Sequence, residues 1–322
     1  MVGRRALFAS LVLLGLVALA PPARTAEAEH CKLLLATALD MQPGPGGNPV
    51  IPVSIEGQDK LMAVDTGGVY SMVTAKAATD LNLRKDAIDP GSYYMASGAM
   101  VAHAATAQSF KIGRLQLKRY TFLTLPDDEM DDETSGTLAP DIMRRFDVEF
   151  DFAGKKFKVF SQDHCEGNVV YWTSDEHAAL PFDLNEAAQI TLTAELDGRK
   201  VKVMLDTGSS ISTMTLKRAK ELLGVKDDAP DLKPAPDVKL KGADKVYSYP
   251  LKSLDLGGVV VRNPNIVLYR DNLDSFGMPD ILLGMTVLSK LHIYIAYKEK
   301  MLYITAANAT APAPAPPAGT PP

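Results

Sequence analysis

Cysteine and tryptophan are almost missing from this 322-residue chain, which has two cysteines, Cys31 and Cys165, and one tryptophan, Trp172. Two thiols without further ligands at a suitable spacing do not form a zinc site, so no metal and no cofactor are expected. Histidine is also scarce. His30, His103, His164, His177 and His292 stand without a nucleophile or ligand partner at a known spacing, which leaves them to surface or packing positions. There is no basic stripe, and the net charge is −5. Nucleic acid is therefore excluded as a partner. Apart from Ala6 to Ala20, 15 residues long, no stretch is long and apolar enough to span a bilayer, which takes about 20 residues. The acidic run Asp127 to Glu133 has no glycine at a calcium-loop position. It reads first as a solvated loop, with selection of basic substrate side chains or loose calcium binding as minor readings.

The one apolar run comes after Arg4-Arg5 and precedes Ala26-Glu27-Ala28, a small-x-small cleavage site. Residues 1–28 are thus expected to be a signal peptide, with export to a bacterial periplasm or beyond it and no stable membrane insertion after cleavage. The alternative is an uncleaved N-terminal anchor. In an exported protein an isolated cysteine pair is expected to form one disulfide, Cys31–Cys165, which would pin the N-terminal strand to the segment after the first half. From residue 306 onward the chain is nearly all Ala, Pro, Thr and Gly, a composition that forms no core and reads as a disordered tail.

A duplication dominates the remainder. Leu61-Met62-Ala63-Val64-Asp65-Thr66-Gly67-Gly68 is matched by Lys202-Val203-Met204-Leu205-Asp206-Thr207-Gly208-Ser209, with the two aspartates 141 positions apart. Gly57 and Gly198, each turning a hairpin that leads into Asp-Thr-Gly, keep that offset, as do Lys76 and Lys217 in short helical patterns. Phe110-Lys111-Ile112-Gly113 and Leu254-Asp255-Leu256-Gly257 match at an offset of 144, and Thr137-Leu138-Ala139 and Leu282-Leu283-Gly284 at 145. So small a drift implies two homologous lobes. The expected layout is an N-terminal lobe over 29–166, a linker over 167–181, a C-terminal lobe over 182–305 and a tail over 306–322.

On these motifs the chain resembles the retropepsin-like aspartic proteases, in an exported bacterial form with both lobes on one chain. The resemblance covers nearly all of the mature protein. It implies an all-β, bilobal fold with short helices and a cleft between lobes that pair within one chain, so that a monomer suffices. It also implies an aspartic endopeptidase acting on a peptide or protein substrate, with Asp65 and Asp206 as the catalytic pair. In that chemistry two carboxyls held about 3 Å apart cannot both ionise and share one proton, so one serves as base and the other as acid. Thr66 and Thr207 would hydrogen-bond across to the opposite lobe. Gly67 and Gly208 would let backbone N–H groups approach the carboxylates. A hydroxyl on Ser209 could hold Asp206, which Gly68 cannot do for Asp65, so Asp206 is expected to be the more readily ionised partner.

Position implies a flap over the cleft at Tyr93 to Val101, with Met95, Ser97, Gly98 and Met100 as its substrate-facing residues. The charged hairpin Val238 to Val246 stands at the equivalent place in the second half and reads as an ordinary exposed turn. Asp141, Asp147 and Asp151 read as helix-end and strand-surface residues. Two departures from the family pattern lie in the first half, where Gly68 replaces a small or hydroxylated residue and Ala139 replaces glycine. They keep open a second reading on the same scaffold: an inactive protein that binds peptides or mediates assembly.

Overall fold

The computed structural model describes residues 33–95, 98–126, 129–130, 133–240, 243–271 and 279–309. The signal-peptide segment, Cys31, Ser97, residues 127–128 and 131–132 of the acidic run and tail residues 310–322 lie outside the described residues. No cysteine among the described residues is free. No helix among them is long and apolar enough to cross a membrane.

The described chain is built of strands with short helices. Each half opens with a hairpin: Pro49–Ile55 with Gln58–Val64, and Ile190–Leu196 with Arg199–Leu205. The two turn residues have positive φ in both, 51° and 76° for Glu56-Gly57 and 49° and 74° for Asp197-Gly198. That geometry matches the right-handed twist of the flanking strands and fixes their register. Register decides which side chains are buried. It sends Met62 and Val64, and Val203 and Leu205, into the core and delivers each Asp-Thr-Gly to the end of a supported strand.

Beyond the hairpins the two halves continue alike. The strand that ends in Asp-Thr-Gly pairs in parallel with a short strand, Gly136–Leu138 or Ile281–Leu283. That strand pairs antiparallel with Met72–Thr74 or Ser212–Thr215. The latter pair in parallel with Tyr120–Leu125 or Ile266–Asp271. The turn carrying each aspartate is therefore braced by a strand from the far end of its own lobe. Helices Ala75–Asp80 and Leu216–Leu223 begin directly after, each capped by a threonine side chain, Thr74 accepting from Ala77 N and Thr215 from Arg218 N.

The lobes share one sheet, ordered Leu35–Asp40, Lys156–Phe160, Asp147–Asp151, Leu291–Ala296, Met301–Ala306, Ala178–Leu184. The seam between lobes is the antiparallel pairing of Asp147–Asp151 with Leu291–Ala296. The segment read as linker, 167–181, ends inside this sheet, because Ala178–Leu184 pairs with Met301–Ala306 and then with Ile190–Leu196. A seven-residue strand paired on both sides cannot be a free connection.

Asp147 corrects the surface reading of the strand Asp147–Asp151. Asp147 was expected at the strand surface, yet it and Glu149 are both 0% exposed. Asp147 accepts hydrogen bonds from Tyr297 N at 3.0 Å and Tyr294 Oη at 3.3 Å and lies 2.6 Å from His164 Nε2. Glu149 receives Lys158 Nζ and Tyr171 Oη, each at 2.6 Å, and meets His292 Nε2 at 3.0 Å. Trp172 stacks on His292 with ring centroids 4.4 Å apart and donates its indole N–H to Thr305 Oγ1. Buried charge is tolerated only when paired and hydrogen-bonded, and two of the scarce histidines supply partners.

Candidate active site

Asp65 and Asp206 end their strands facing each other across the lobes, with their carboxyl groups in hydrogen-bonding reach. Each main chain is tied to the bracing strand, Asp65 N donating to Leu138 O at 2.9 Å and Asp206 N to Leu283 O at 3.0 Å. Gly67 and Gly208 lie against the opposite carboxyl. A Cβ on Gly67 would fall 2.3 Å from Asp206 Cγ, and one on Gly208 would fall 2.3 Å from Asp65 Oδ1. Only glycine permits that approach.

Thr66 and Thr207 are buried and form a crossed frame. Thr66 Oγ1 donates to Leu205 O at 3.0 Å and accepts from Thr207 N at 3.0 Å. Thr207 Oγ1 donates to Val64 O at 2.6 Å and accepts from Thr66 N at 3.1 Å. Four buried backbone groups are thereby satisfied by the other lobe, and none could be left open cheaply.

Burial pushes both carboxyls above the usual carboxylate range, and Asp206 the further of the two. Asp65 takes N–H donors from Gly67, Gly68 and Gly208, and Asp206 from Ser209 and Gly208. Each carboxyl is the other's neighbour across the lobes, so the two titrate as a pair. The hydroxyl contact expected to favour ionisation of Asp206 is not made. The reason is local: Ser209 Oγ turns away and donates to Ile211 O at 2.8 Å, while its backbone N–H reaches Asp206 Oδ1 at 3.0 Å.

Gly68 and Ala139 explain one another. A Cβ on Gly68 would fall 3.2 Å from the Ala139 methyl and 2.9 Å from Asp65 Oδ2. In the second half a Cβ on Gly284 would fall 2.3 Å from Ile211 O and 2.7 Å from Ser209 O. In the first lobe the Ala139 methyl fits beside a glycine at position 68, and the Asp65 N to Leu138 O bond is intact.

Residues that sequence reasoning passed over complete the frame. Ser71 Oγ accepts from Ala139 N at 2.9 Å and donates to Asp141 Oδ1 at 2.7 Å; Asp141 also accepts from Ser71 N and Tyr120 Oη. In the second lobe Ser212 Oγ accepts from Gly284 N at 3.0 Å, while Thr286 Oγ1 takes the place of the carboxylate and accepts from Ser212 N at 2.9 Å. The two serines keep the 141-residue offset, which was the available signal.

The segment expected to act as a flap forms a hairpin, with Met95 N donating to Ala99 O and Val101 N to Tyr93 O. Gly98 has φ 85°, a turn conformation that suits glycine. Met95 packs back onto Met72, Val101 and Leu125, while Met100 and Tyr94 are exposed. Ser97 lies outside the described residues. Tyr93 meets Tyr70 edge-on with centroids 5.2 Å apart, placing two aromatic rings beside the Asp65 turn. The equivalent hairpin of the second half is half strand, Ala243–Ser248 pairing with Ile266–Asp271, while Lys241 and Gly242 at its turn lie outside the described residues.

A duplicated β lobe carrying one braced Asp-Thr-Gly turn each defines an aspartic-protease architecture. An aspartyl protease family model matches residues 51–138 and 192–287, more than half of the chain and one stretch in each lobe, and the chain belongs to this family. No curated protein matches it in sequence.

Proposed function

We propose that this protein is an aspartic endopeptidase that hydrolyses peptide bonds between Asp65 and Asp206. The observation that carries the reading is the meeting of two carboxyls, each packed against the opposite lobe's glycine, on a frame crossed by Thr66 and Thr207. Asp65, ionised, takes a proton from a water whose oxygen attacks the scissile carbonyl carbon. Asp206, protonated, gives its proton to the carbonyl oxygen. The resulting diol collapses with proton transfer to the leaving nitrogen, and the pair returns to a single shared proton. Substrate lies extended between the lobes beneath the hairpin that carries Gly98 and the exposed Met100.

The remainder of the proposal concerns setting. Residues 1–28 direct export to the periplasm or beyond and are removed, Cys31 pairs with Cys165, and the shared sheet lets one chain act as a monomer on a peptide or protein substrate. The Ala139 departure, which favoured an inactive scaffold, is accommodated by Gly68. The test is cleavage of a mixed peptide library at acidic pH by wild type and Asp206→Asn, with and without a statine-type inhibitor. Inhibitable cleavage by wild type alone is expected. Absence of inhibitable cleavage at any pH would leave the peptide-binding scaffold as the better reading.

A further inference from the structure

Two amide side chains, 141 positions apart like the aspartates, reach across the lobes. Asn48 Nδ2 donates to Thr207 O at 2.8 Å, and Gln189 Nε2 donates to Gly67 O. Both acceptors share a peptide group with a donor to the catalytic pair. The carbonyl of Thr207 belongs to the peptide whose N–H is that of Gly208, a donor to Asp65 and Asp206. The carbonyl of Gly67 belongs to the peptide whose N–H is that of Gly68, which donates to Asp65 Oδ1 at 2.9 Å. Each amide thus feeds a relay of amide N–H, peptide C=O, peptide N–H and carboxylate, in which each bond polarises the next.

We propose that Asn48 and Gln189 are positioning residues that strengthen the two peptide donors facing Asp65, and so keep its carboxylate charged and correctly turned for base work. Gln189 is itself oriented: its Oε1 accepts from Asn185 Nδ2 at 2.7 Å, which leaves its nitrogen to face Gly67. Asn185 is in turn held by Ala187 N and Gln189 N, each donating to its Oδ1 at 3.0 Å. Both amides are half-buried, so the bonds compete little with bulk water. Asp206 is the titratable group that faces Asp65; the other partners of Asp65 are the backbone N–H groups of Gly67, Gly68 and Gly208.

The inference rests on the aspartic-protease reading for its consequence in catalysis, but not for its physical content. Two readouts on the full chain separate them: the acid limb of kcat/KM on the peptide library, and the carboxyl 13C shift of Asp65 against pH, which needs no activity. Asn48→Leu and Gln189→Met keep size and remove the donor. Each is expected to move the Asp65 titration, and with it the acid limb, to higher pH by about 0.2–0.6 unit, and the double variant by more. Asn185→Ala leaves both amides in place but unpins Gln189, and is expected to give part of the Gln189→Met shift; it carries the test should the isosteres fail to fold. A lowered Tm with the Asp65 titration unmoved would overturn the relay and make these amides lobe clamps only. A chain without peptidase activity in which the 13C titration still moves would keep the relay and refute the protease reading.

Discussion

A methyl group and a hydroxyl direction distinguish the surroundings of Asp65 from those of Asp206. Ser209 was legible as the residue beside Asp206, but the direction of its hydroxyl depends on the backbone carbonyl of Ile211, which a motif does not reveal. Ala139 read as a defect because its partner across the turn, Gly68, is 71 positions away in sequence. The exchange makes a sharp prediction. Gly68→Ser alone is expected to lower kcat/KM by about tenfold or more (about 1.4 kcal/mol or above) through contact with Ala139 and Asp65, and Ala139→Gly to be nearly neutral. Combining them should restore much of the loss, a coupling that a double-mutant cycle on kcat/KM and Tm would measure. Gly284→Ala meets backbone oxygens that have no other place to go, and is expected to destabilise by about 2–4 kcal/mol in denaturant unfolding.

The repeated elements were legible because duplication leaves an offset, and offsets survive where residue types drift. Hairpins at Gly57 and Gly198 and the short helices were placed this way, while the crossing threonines followed from the family resemblance. The braces Ser71–Asp141 and Ser212–Thr286 were not, since carboxylate in one lobe and hydroxyl in the other do the same job. Asp147 was misread because an aspartate's residue type does not report that His164, Tyr294 and the Tyr297 amide will close over it. Within the crossed frame, Thr66→Val keeps shape but strands Thr207 N and Leu205 O. Two buried groups without partners predict a loss of about 2–5 kcal/mol in urea unfolding, accompanied by loss of peptidase activity. Thr207→Val, which strands Thr66 N and Val64 O, should behave alike.

At the scale of the molecule, buried titratable groups set how stability depends on pH. Burial opposes the charged form of His164, but Asp147, the Cys165 carbonyl and Glu299 outweigh it and raise its pKa. That contribution is fully present below about 6.5 and is lost as pH rises through the raised folded value. Asp65, Asp206 and Asp147, all raised by burial, act in the same sense, since ionising them is harder in the folded state than in the unfolded one. Glu149 opposes them: burial is outweighed by His292, Lys158 and Tyr171, its pKa is lowered, and its contribution fades only as pH falls through that lowered value. Thermal unfolding is therefore expected to give a higher Tm near about pH 5 than near about pH 8, with His164→Gln flattening the difference. A Tm that climbs steadily over that range would contradict this.

The proposed sharing of one proton is open to direct measurement by potentiometric difference titration of wild type against Asp206→Asn, both intact and folded. The wild type carries one more titratable carboxyl, and the pH at which its extra proton leaves is the quantity to read. If Asp206 holds the proton between buried, facing carboxyls, the excess release falls well above the ordinary carboxylate range of about 4. Release of the extra proton near about pH 4, as from an independent surface aspartate, would contradict it.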